Sequence, residues 1–264
     1  MKRTTRKDKI IKTGVKSLDL FLGGEDDPGL PNKSVILVLG EPGTKFEIFV
    51  QQVLFHTLKT GATEKVVYLS YDGRPNEIID EMNIYEYNIR PFVMAGEKWK
   101  FMDAFSSRVA AEGAVIGLQA QQSSVDVEDR FAQDSLRFFT RRFIPEIVKH
   151  ENVCTCIHSI SSLIRSNSIE SVSIAMETLK YVVRDLGTGL HFILMVKNLH
   201  DPTVEVLASH IADFVFDISF GRVGAGKIAI NFSVQKSWKS ALLPISIPMN
   251  IDQKGIRLET TVRI

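Results

Sequence analysis

The chain has 264 residues, of which 44% are hydrophobic and 24% charged, a composition that suits one large α/β domain with a sizeable core. Its 32 lysines and arginines nearly balance 31 aspartates and glutamates, which excludes a strong overall field favouring nucleic acid or membrane. No apolar run approaches the roughly 20 residues of a membrane helix. The first apolar pair, Ile10–Ile11, leads straight into polar sequence, so we expect no signal peptide. These features predict a soluble, cytoplasmic chain.

The basic start of the chain, MKRTTRKDK, holds five lysines and arginines against the single Asp8. We expect residues 1–12 to form a solvated tail, with an arm for nucleic acid or an acidic partner as the alternative. Residues 13–264 are expected to form one domain.

Strand-like and helix-like segments alternate through the first three quarters of the chain. Apolar runs rich in β-branched residues predict strands at Val35–Leu39, Lys65–Ser70, Val153–Ile157 and His191–Val196. Helical spacing of apolar residues predicts helices at Phe46–Lys59, Arg130–Lys149 and Ile169–Leu186. This alternation predicts a mostly parallel sheet with helices on both faces. Cys154 and Cys156 fall on one face of a strand, which favours packing over a disulfide.

Two polar stretches, Ser161–Ser171 and Gln119–Asp129, are typical of mobile loops. From Asp213 onward, strand-like runs separated by glycine or proline predict antiparallel hairpins at the edge of the sheet. The stretch GRVGAGKI (Gly221–Ile228) nearly matches a phosphate-binding motif. Because strand-like runs lie on both sides of it, we interpret its glycines as a hairpin loop.

The stretch VILVLGEPGTKFEIFVQQ (Val35–Gln52) carries the main functional signal. A strand runs into a glycine-rich turn and then a helix, the setting of a loop that cradles nucleotide phosphates with the pattern G-x-x-x-x-G-K-[ST]. Gly40 is followed by four residues before Lys45, so the loop is interpreted as one residue short. Phe46 then stands where the hydroxyl residue belongs.

Three segments in order, KTGVKSLDLFLGG (Lys12–Gly24), GLPNKSVILVLGEPGT (Gly29–Thr44) and KVVYLSYDGRPNEI (Lys65–Ile78), resemble the KaiC-like and RadA-like ATPases of the RecA superfamily. The resemblance extends over roughly Thr13 to Leu258 and is strongest before Glu81. It implies a RecA-like αβα sandwich: a mostly parallel sheet with antiparallel C-terminal strands. It also implies a nucleotide site at the phosphate loop.

The positions that carry chemistry in that family differ here. At the end of the second motif strand the family has an aspartate that holds magnesium, and this chain has His158, in TCIHS. A histidine is a poor ligand for this hard, oxygen-seeking ion. Asp72 occupies the first position of the family's acidic pair and Gly73 the second. In the hairpin region, Lys236 matches a lysine that faces a neighbouring subunit's nucleotide, and Trp238 replaces the following arginine.

The resemblance therefore implies a vestigial nucleotide site. Its residues are Gly40, Glu41, Pro42, Gly43, Thr44, Lys45, Phe46 and His158, with Lys236 as a contact in trans. We assign no metal ligands and no catalytic residue, Asp72 being a vestigial candidate. His158 is interpreted as a polar residue at the sheet edge; alternatively, His158 and Lys45 supply positive charge for a metal-free polyphosphate.

The aromatic and basic run Arg130–Val148 is interpreted as a core-facing helix with a solvated basic side. A protein-docking surface and a surface for single-stranded nucleic acid are the alternatives.

The leading hypothesis is a catalytically inactive member of this group that acts as a binding or regulatory subunit, alone as a homo-oligomer or together with an active RecA-family ATPase. No cofactor is expected. One alternative is an ATP-binding ATPase with an atypical loop that uses Lys45 and Asp72. Another is a DNA-recombination accessory protein that binds DNA through its basic N-terminus and Arg137–Arg142.

Overall fold

The computed structural model describes residues 9–23, 26–94, 97–115, 135–223, 227–237 and 246–259. The strands in this part of the chain are β1 (Ile10–Ile11), β2 (Leu30–Pro31), β3 (Ser34–Gly40), β4 (Lys65–Ser70), β5 (Trp99–Asp103), β6 (Val153–His158), β7 (Leu190–Val196), β8 (Phe214–Val223), β9 (Lys227–Lys236), β10 (Ser246–Asp252) and β11 (Gly255–Leu258). The helices are α1 (Lys16–Gly23), α2 (Phe46–Lys59), α3 (Pro75–Ile84), α4 (Arg90–Met94), α5 (Ala104–Val115), α6 (Ser135–Phe138), α7 (Ile144–Lys149), α8 (Ile160–Ser166), α9 (Ile169–Asp185) and α10 (Pro202–Ile211).

Nine strands form one sheet in the order β11-β10-β9-β8-β3-β7-β6-β4-β5. The strands from β8 to β5 pair in parallel. The pairs β8–β9, β9–β10 and β10–β11 are antiparallel. The predicted fold, a mostly parallel sheet with antiparallel C-terminal strands, is confirmed.

The central strand β3 is buried on both faces. Ile36 and Val38 belong to one apolar core, formed with α1, α2 and α3, whereas Val35, Leu37 and Leu39 belong to the core on the other face. This division follows from the two-residue repeat of a strand. It makes the sheet the middle layer of three, with its carboxyl edge free to carry a site.

The strands and helices predicted from periodicity agree with the structure to within a residue or two wherever the structure describes them. Strands β1, β2, β5 and β10 were not predicted. Pro248 lies inside β10, where a proline normally argues against a strand.

The prediction of a loop at Ser161–Ser171 is wrong. Residues 160–166 form α8, whose N-cap Ser159 accepts a hydrogen bond from the Ser161 N–H at 3.1 Å. Leu163 and Ile164 anchor this helix in the core. A polar composition therefore concealed a capped helix with a buried face. The other predicted loop, Gln119–Asp129, lies outside the described residues.

The aromatic and basic helix is described from Ser135 to Lys149 and contains a π-helical turn at Phe139–Phe143. Phe138, Phe139 and Phe143 are all buried, while Arg141 is exposed. For the described residues the core-facing interpretation is confirmed, because these three rings are not available for docking or base stacking. Phe131 lies outside the described part.

Residues at the end of the predicted tail belong to the folded domain. Ile10–Ile11 pairs with Leu30–Pro31, and Ile11 is buried. Ile10 and Ile11 of the predicted tail therefore pack with the domain. Cys154 and Cys156 are buried, unpaired thiols on β6, as predicted. Among the described residues no helix is long and apolar enough to cross a membrane.

Candidate functional site

The candidate site begins where β3 ends at Gly40, in the middle of the parallel sheet. A tight turn leads from Glu41 to α2, closed by hydrogen bonds to the Glu41 carbonyl from the N–H (3.1 Å) and hydroxyl (2.7 Å) of Thr44. Pro42 and Gly43 at its tip are exposed, and Gly43 takes a left-handed backbone (φ 89°). The strand–turn–helix predicted from the sequence is therefore present.

The turn is fastened to the neighbouring strand β8. The N–H of Glu41 donates to the Ile218 carbonyl at 2.9 Å, and the N–H of Phe220 donates to the Glu41 carboxylate at 2.9 Å. These bonds hold the turn to the sheet without help from a ligand.

The backbone at Lys45 assigns a different register to the motif. Lys45 precedes the first residue of α2 and has φ 55° and ψ 37°, a left-handed conformation that favours glycine. Counting G-x-x-x-x-G-K-[ST] from Gly40 without a gap places Lys45 at the second glycine. Phe46 then replaces the motif lysine and Glu47 the hydroxyl residue. The interpretation of a loop one residue short is corrected: the loop has its full length and different side chains.

The ring of Phe46 lies over Gly40. Phe46 is only 2% exposed, and a Cβ built on Gly40 would lie 2.0 Å from its Cγ. The aromatic side chain thus packs directly against the strand end from which the loop departs. In a phosphate loop, this position supplies the lysine that binds the phosphates.

Lys45 is engaged elsewhere. Its ammonium pairs with the Glu81 carboxylate of α3 at 2.8 Å, and its side chain is 53% exposed. The hydrogen bond and charge of Glu81 raise the pKa of Lys45. The predicted role of Lys45 as a phosphate-binding cation is not favoured by this pairing.

Glu47 was not singled out from the sequence, because the shortened register placed it beyond the motif. It lies in the first turn of α2, and burial raises its pKa, with the charge of Glu81 acting in the same direction. The ungapped count would have identified it. A carboxyl group here replaces the hydroxyl that the motif places next to the phosphates.

Asp72 follows the end of β4 and is held by α8. Its carboxylate accepts a hydrogen bond from the Ser162 hydroxyl and lies 3.7 Å from the guanidinium of Arg165. Ser162 also accepts from Arg165 at 3.0 Å. The side chain therefore belongs to a local polar cluster that includes no residue of the Gly40–Phe46 loop.

His158 ends β6, next to β4. Its Nδ1 lies 3.1 Å from the hydroxyl of Tyr68, and the two rings meet edge to face with centroids 5.8 Å apart. Burial lowers the pKa of His158, which opposes a positive charge at neutral pH. The interpretation of His158 as a hydrogen-bonded polar residue fits this geometry, and the alternative, a cation acting with Lys45, does not.

Between α2 and β4 lies a buried polar group that the sequence did not reveal. Gln51 of α2 and Tyr68 are fully buried, 3.5 Å apart, and the Gln51 Oε1 has no hydrogen-bond partner. Burial raises the pKa values of the Tyr68 hydroxyl and the Cys156 thiol, keeping both neutral. Only the packing of α2 on the sheet brings these residues together.

Lys236 lies at the opposite, amino edge of the central strands. Its ammonium donates to the carbonyls of Ser209 (2.9 Å), His210 (2.8 Å) and Ala212 (2.7 Å), at the end of α10. A lysine here satisfies carbonyls that a helix end leaves without partners. This arrangement favours a role for Lys236 within its own chain over the predicted contact in trans. Trp238 lies outside the described residues.

In the part of the chain that the structure describes, no group of three or more histidine, cysteine, aspartate or glutamate side chains could hold a metal ion. At the loop, the residue at the hydroxyl position is a carboxylate and the strand-end residue is a neutral imidazole. A carboxylate can bind magnesium, but without the strand-end aspartate and the loop hydroxyl these residues do not reproduce the set that holds a nucleotide-bound magnesium ion.

The sheet order, the strand–turn–helix at its carboxyl edge and the antiparallel C-terminal strands define the RecA-like class of α/β fold. Within that class, the chain belongs to the family described as "ATPase: KaiC", whose family model matches residues 11–262. Members of this family typically oligomerise.

Relatives and a solved structure agree with this assignment. A UPF0273 protein of Thermotoga maritima is 26% identical over 252 residues, covering 94% of this chain and 95% of the relative. A UPF0273 protein of Sulfurisphaera tokodaii is 26% identical over 253 residues, covering 94% and 82%. The crystal structure of a KaiC-like protein from Pyrococcus horikoshii matches with a TM-score of 0.65 and 14% identity, covering 96% of this chain and 100% of that one. The structural match shows the fold.

Proposed function

We propose that this protein is a catalytically inactive member of the KaiC family that acts as a binding or regulatory subunit. The observation that carries the proposal is the position of Phe46. Its buried ring, at the lysine position of the motif, packs on Gly40. A phosphate loop works by presenting N–H groups and an ammonium to the phosphates, and an aromatic ring offers neither.

Electrostatics support the same conclusion. Phosphoryl transfer is catalysed mainly by positioning and by stabilising charge, with cations around the phosphates. Here Lys45 is paired with Glu81, Glu47 stands at the hydroxyl position, and His158 is held neutral. Removing one donor to a developing charge typically lowers a rate about 10²- to 10³-fold. Several such losses together leave no basis for hydrolysis by this chain alone.

The fold that surrounds the loop is intact, which supports a role in binding a partner through the protein surface. The turn is closed by its own hydrogen bonds and by β8, and α2 packs on the sheet over its full length. We infer that the chain assembles with itself or with an active RecA-family ATPase and contributes a binding surface. The expectation of assembly rests on analogy with a family whose members typically oligomerise.

The first test is titration calorimetry of the purified full chain with ATP and magnesium. We expect no heat of binding. A micromolar affinity would contradict the proposal and support the alternative, an ATP-binding protein with an atypical loop. If this alternative holds, the substitutions Lys45→Ala and Asp72→Ala should weaken ATP binding or hydrolysis.

A gain-of-function variant tests the cause. Lys45→Gly, Phe46→Lys and Glu47→Thr together restore the motif, and we expect measurable nucleotide binding once folding is verified by circular dichroism. The matched control, Lys45→Gly with Phe46→Ala and Glu47→Ala, opens the same space but supplies neither ammonium nor hydroxyl. Equal binding by both variants would show that space alone, not the lost chemistry, limits the site.

Assembly is tested by size-exclusion chromatography with light scattering, alone and with an active KaiC-family ATPase of the same organism. We expect an oligomer in at least one case, and a monomer in both would contradict the subunit role. The DNA-accessory alternative predicts a shift of DNA in a gel at low salt that weakens steeply as salt is added.

A further inference from the structure

A cleft of about 310 Å³ lies near the C-terminal end of α2, between the segment Lys12–Lys16, α1 and the last turn of α2. His56, which lines it, is ten residues beyond Phe46, roughly 15 Å along the helix axis. The cleft is therefore separate from the loop described above. Its volume is within the range of pockets that hold small molecules.

The floor of the cleft is built around Asp19. Its carboxylate accepts hydrogen bonds from the N–H and hydroxyl of Thr13, both at 2.7 Å, and from the N–H of Gly14 at 3.3 Å. Asp19 is 5% exposed. Its charge is thus compensated by dedicated donors inside the fold, and it holds the Thr13–Gly14 backbone in place as one wall.

Gly14 allows the His56 ring to reach that wall. Gly14 has φ 83°, and a Cβ built on it would lie 2.4 Å from the Cγ of His56. Burial lowers the pKa of His56, so the ring is neutral and carries one N–H. Among the described residues neither ring nitrogen of His56 has a hydrogen-bond partner. Both nitrogens are accessible to solvent rather than buried, so the N–H can donate to a ligand.

The rim of the cleft is cationic. Lys12 and Lys16 are exposed and line it, and within the described ranges no carboxylate lies at ion-pair distance from either ammonium. The nearby Lys59 lies over the ring of Phe55, 5.6 Å from its centroid. Leu20, which is 43% exposed, and Pro28 provide apolar surface between the charges.

We propose that this cleft binds a small anion with a planar apolar body, an aromatic phosphate or carboxylate. The ring would lie against Leu20 and Pro28, and the anionic group would meet Lys12, Lys16 and the N–H of His56. Two ammonium groups without carboxylate partners make the rim complementary to negative charge. The apolar surface between them distinguishes such a ligand from a bare inorganic ion.

The test uses phenyl phosphate as the probe and the full chain, with binding followed by calorimetry and by the ¹H–¹⁵N signals of the His56 imidazole. We expect saturable binding that shifts the His56 signals and weakens with added salt. Inorganic phosphate should bind at least about tenfold more weakly, because it lacks the apolar body. Equal affinity for the two probes, or an unmoved His56, would overturn the proposal.

The decisive variant is Lys12→Ala with Lys16→Ala, which we expect to lower phenyl phosphate affinity at least about tenfold. The matched control is Lys98→Ala with Lys254→Ala, which removes two exposed lysines that do not line the cleft. The control should bind like the parent. If both double variants lose affinity equally, the probe responds to net charge alone and the site is excluded. Thermal melts of both variants show that each is folded. A benzyl alcohol titration without detectable binding supports the need for the anion, and binding as tight as that of phenyl phosphate contradicts it.

Discussion

The Phe46 ring and the Gly40 α-carbon are in direct contact: a Cβ added to Gly40 would lie 2.0 Å from the Cγ of Phe46. The two residues are the ends of the turn that joins β3 to α2. Each therefore depends on the other. The ring occupies the space that a side chain at position 40 would fill, and it covers the end of the strand. This pair joins the base of the loop to the buried core.

This contact predicts strong coupling between the two positions. Gly40→Ala should destabilise the protein by about 1–3 kcal/mol, because the added methyl group overpacks the ring. Phe46→Ala should cost about 3–5 kcal/mol through loss of buried contacts. In the Phe46→Ala background, Gly40→Ala should cost much less. Urea unfolding of the four proteins measures this coupling. Equal costs in both backgrounds would mean that the ring does not lie on Gly40 in solution.

At Lys45 we expect glycine to give a more stable protein than alanine, the reverse of the usual order. The left-handed backbone at Lys45 costs an L-residue roughly 1–2 kcal/mol, a cost that glycine avoids. The ion pair with Glu81 is half exposed, and pairs of this kind contribute about 0–1 kcal/mol. We expect Lys45→Gly to be more stable than Lys45→Ala by about 1 kcal/mol in thermal or urea unfolding. The same comparison at Lys98, an exposed lysine without a left-handed backbone, is the control. A Lys45→Ala variant as stable as Lys45→Gly would refute the assigned backbone.

Acid should destabilise the fold through His191. This side chain is fully buried on β7, with Nδ1 3.0 Å from the Thr155 hydroxyl and Nε2 2.8 Å from the Thr188 carbonyl. Burial lowers the pKa of His191 to about 4. Because the folded state disfavours the protonated ring, this contribution to stability is complete above the ordinary pKa and declines as pH falls from about 6.5 towards 4.

Between pH 7 and pH 4.5 we expect the free energy of unfolding to fall by roughly 2–3 kcal/mol more in the parent than in His191→Gln, which cannot titrate. Urea unfolding at the two pH values measures the difference. The ¹⁵N signals of His191 report its protonation directly. A ring that titrates near pH 6.5 in the folded protein would show this prediction to be wrong.

Lys236 should stabilise the isolated chain, whatever it assembles with. Its ammonium bonds three carbonyls at the end of α10. Lys236→Met keeps much of the aliphatic stem and removes these charged hydrogen bonds, so we expect a loss of about 1.5–3 kcal/mol. Lys98→Met is the surface control and should change stability by less than about 0.5 kcal/mol. A Lys236→Met protein with unchanged stability but impaired assembly would instead support the contact in trans.

The local elements of this protein follow from its sequence. The runs Lys65–Ser70 and Phe46–Lys59 were predicted with the bounds that the structure has, because β-branched runs and helical spacing of apolar residues act over a few neighbours. The order of such segments was enough to predict the parallel sheet and its antiparallel edge. The family resemblance added the site and most of the residues around it.

The sequence of the phosphate loop allows two registers for the motif. The same residues Gly40–Phe46 fit a short loop that keeps a lysine or a full loop that has lost one. The left-handed backbone at Lys45 and the ring of Phe46 on Gly40 decided between them. Likewise, α8 was concealed by its serines until the packing of Leu163 and Ile164 was seen.

The partners of the site residues are separated by long stretches of chain. Lys45 meets Glu81, His158 meets Tyr68, and Lys236 meets the end of α10 only after the sheet has placed their elements side by side. The sequence by itself determined the strands, the helices and the class of fold, because those depend on local periodicity and on burial. Only the tertiary structure decided which charges are paired and which ring fills the loop, because those depend on distances that no local pattern encodes.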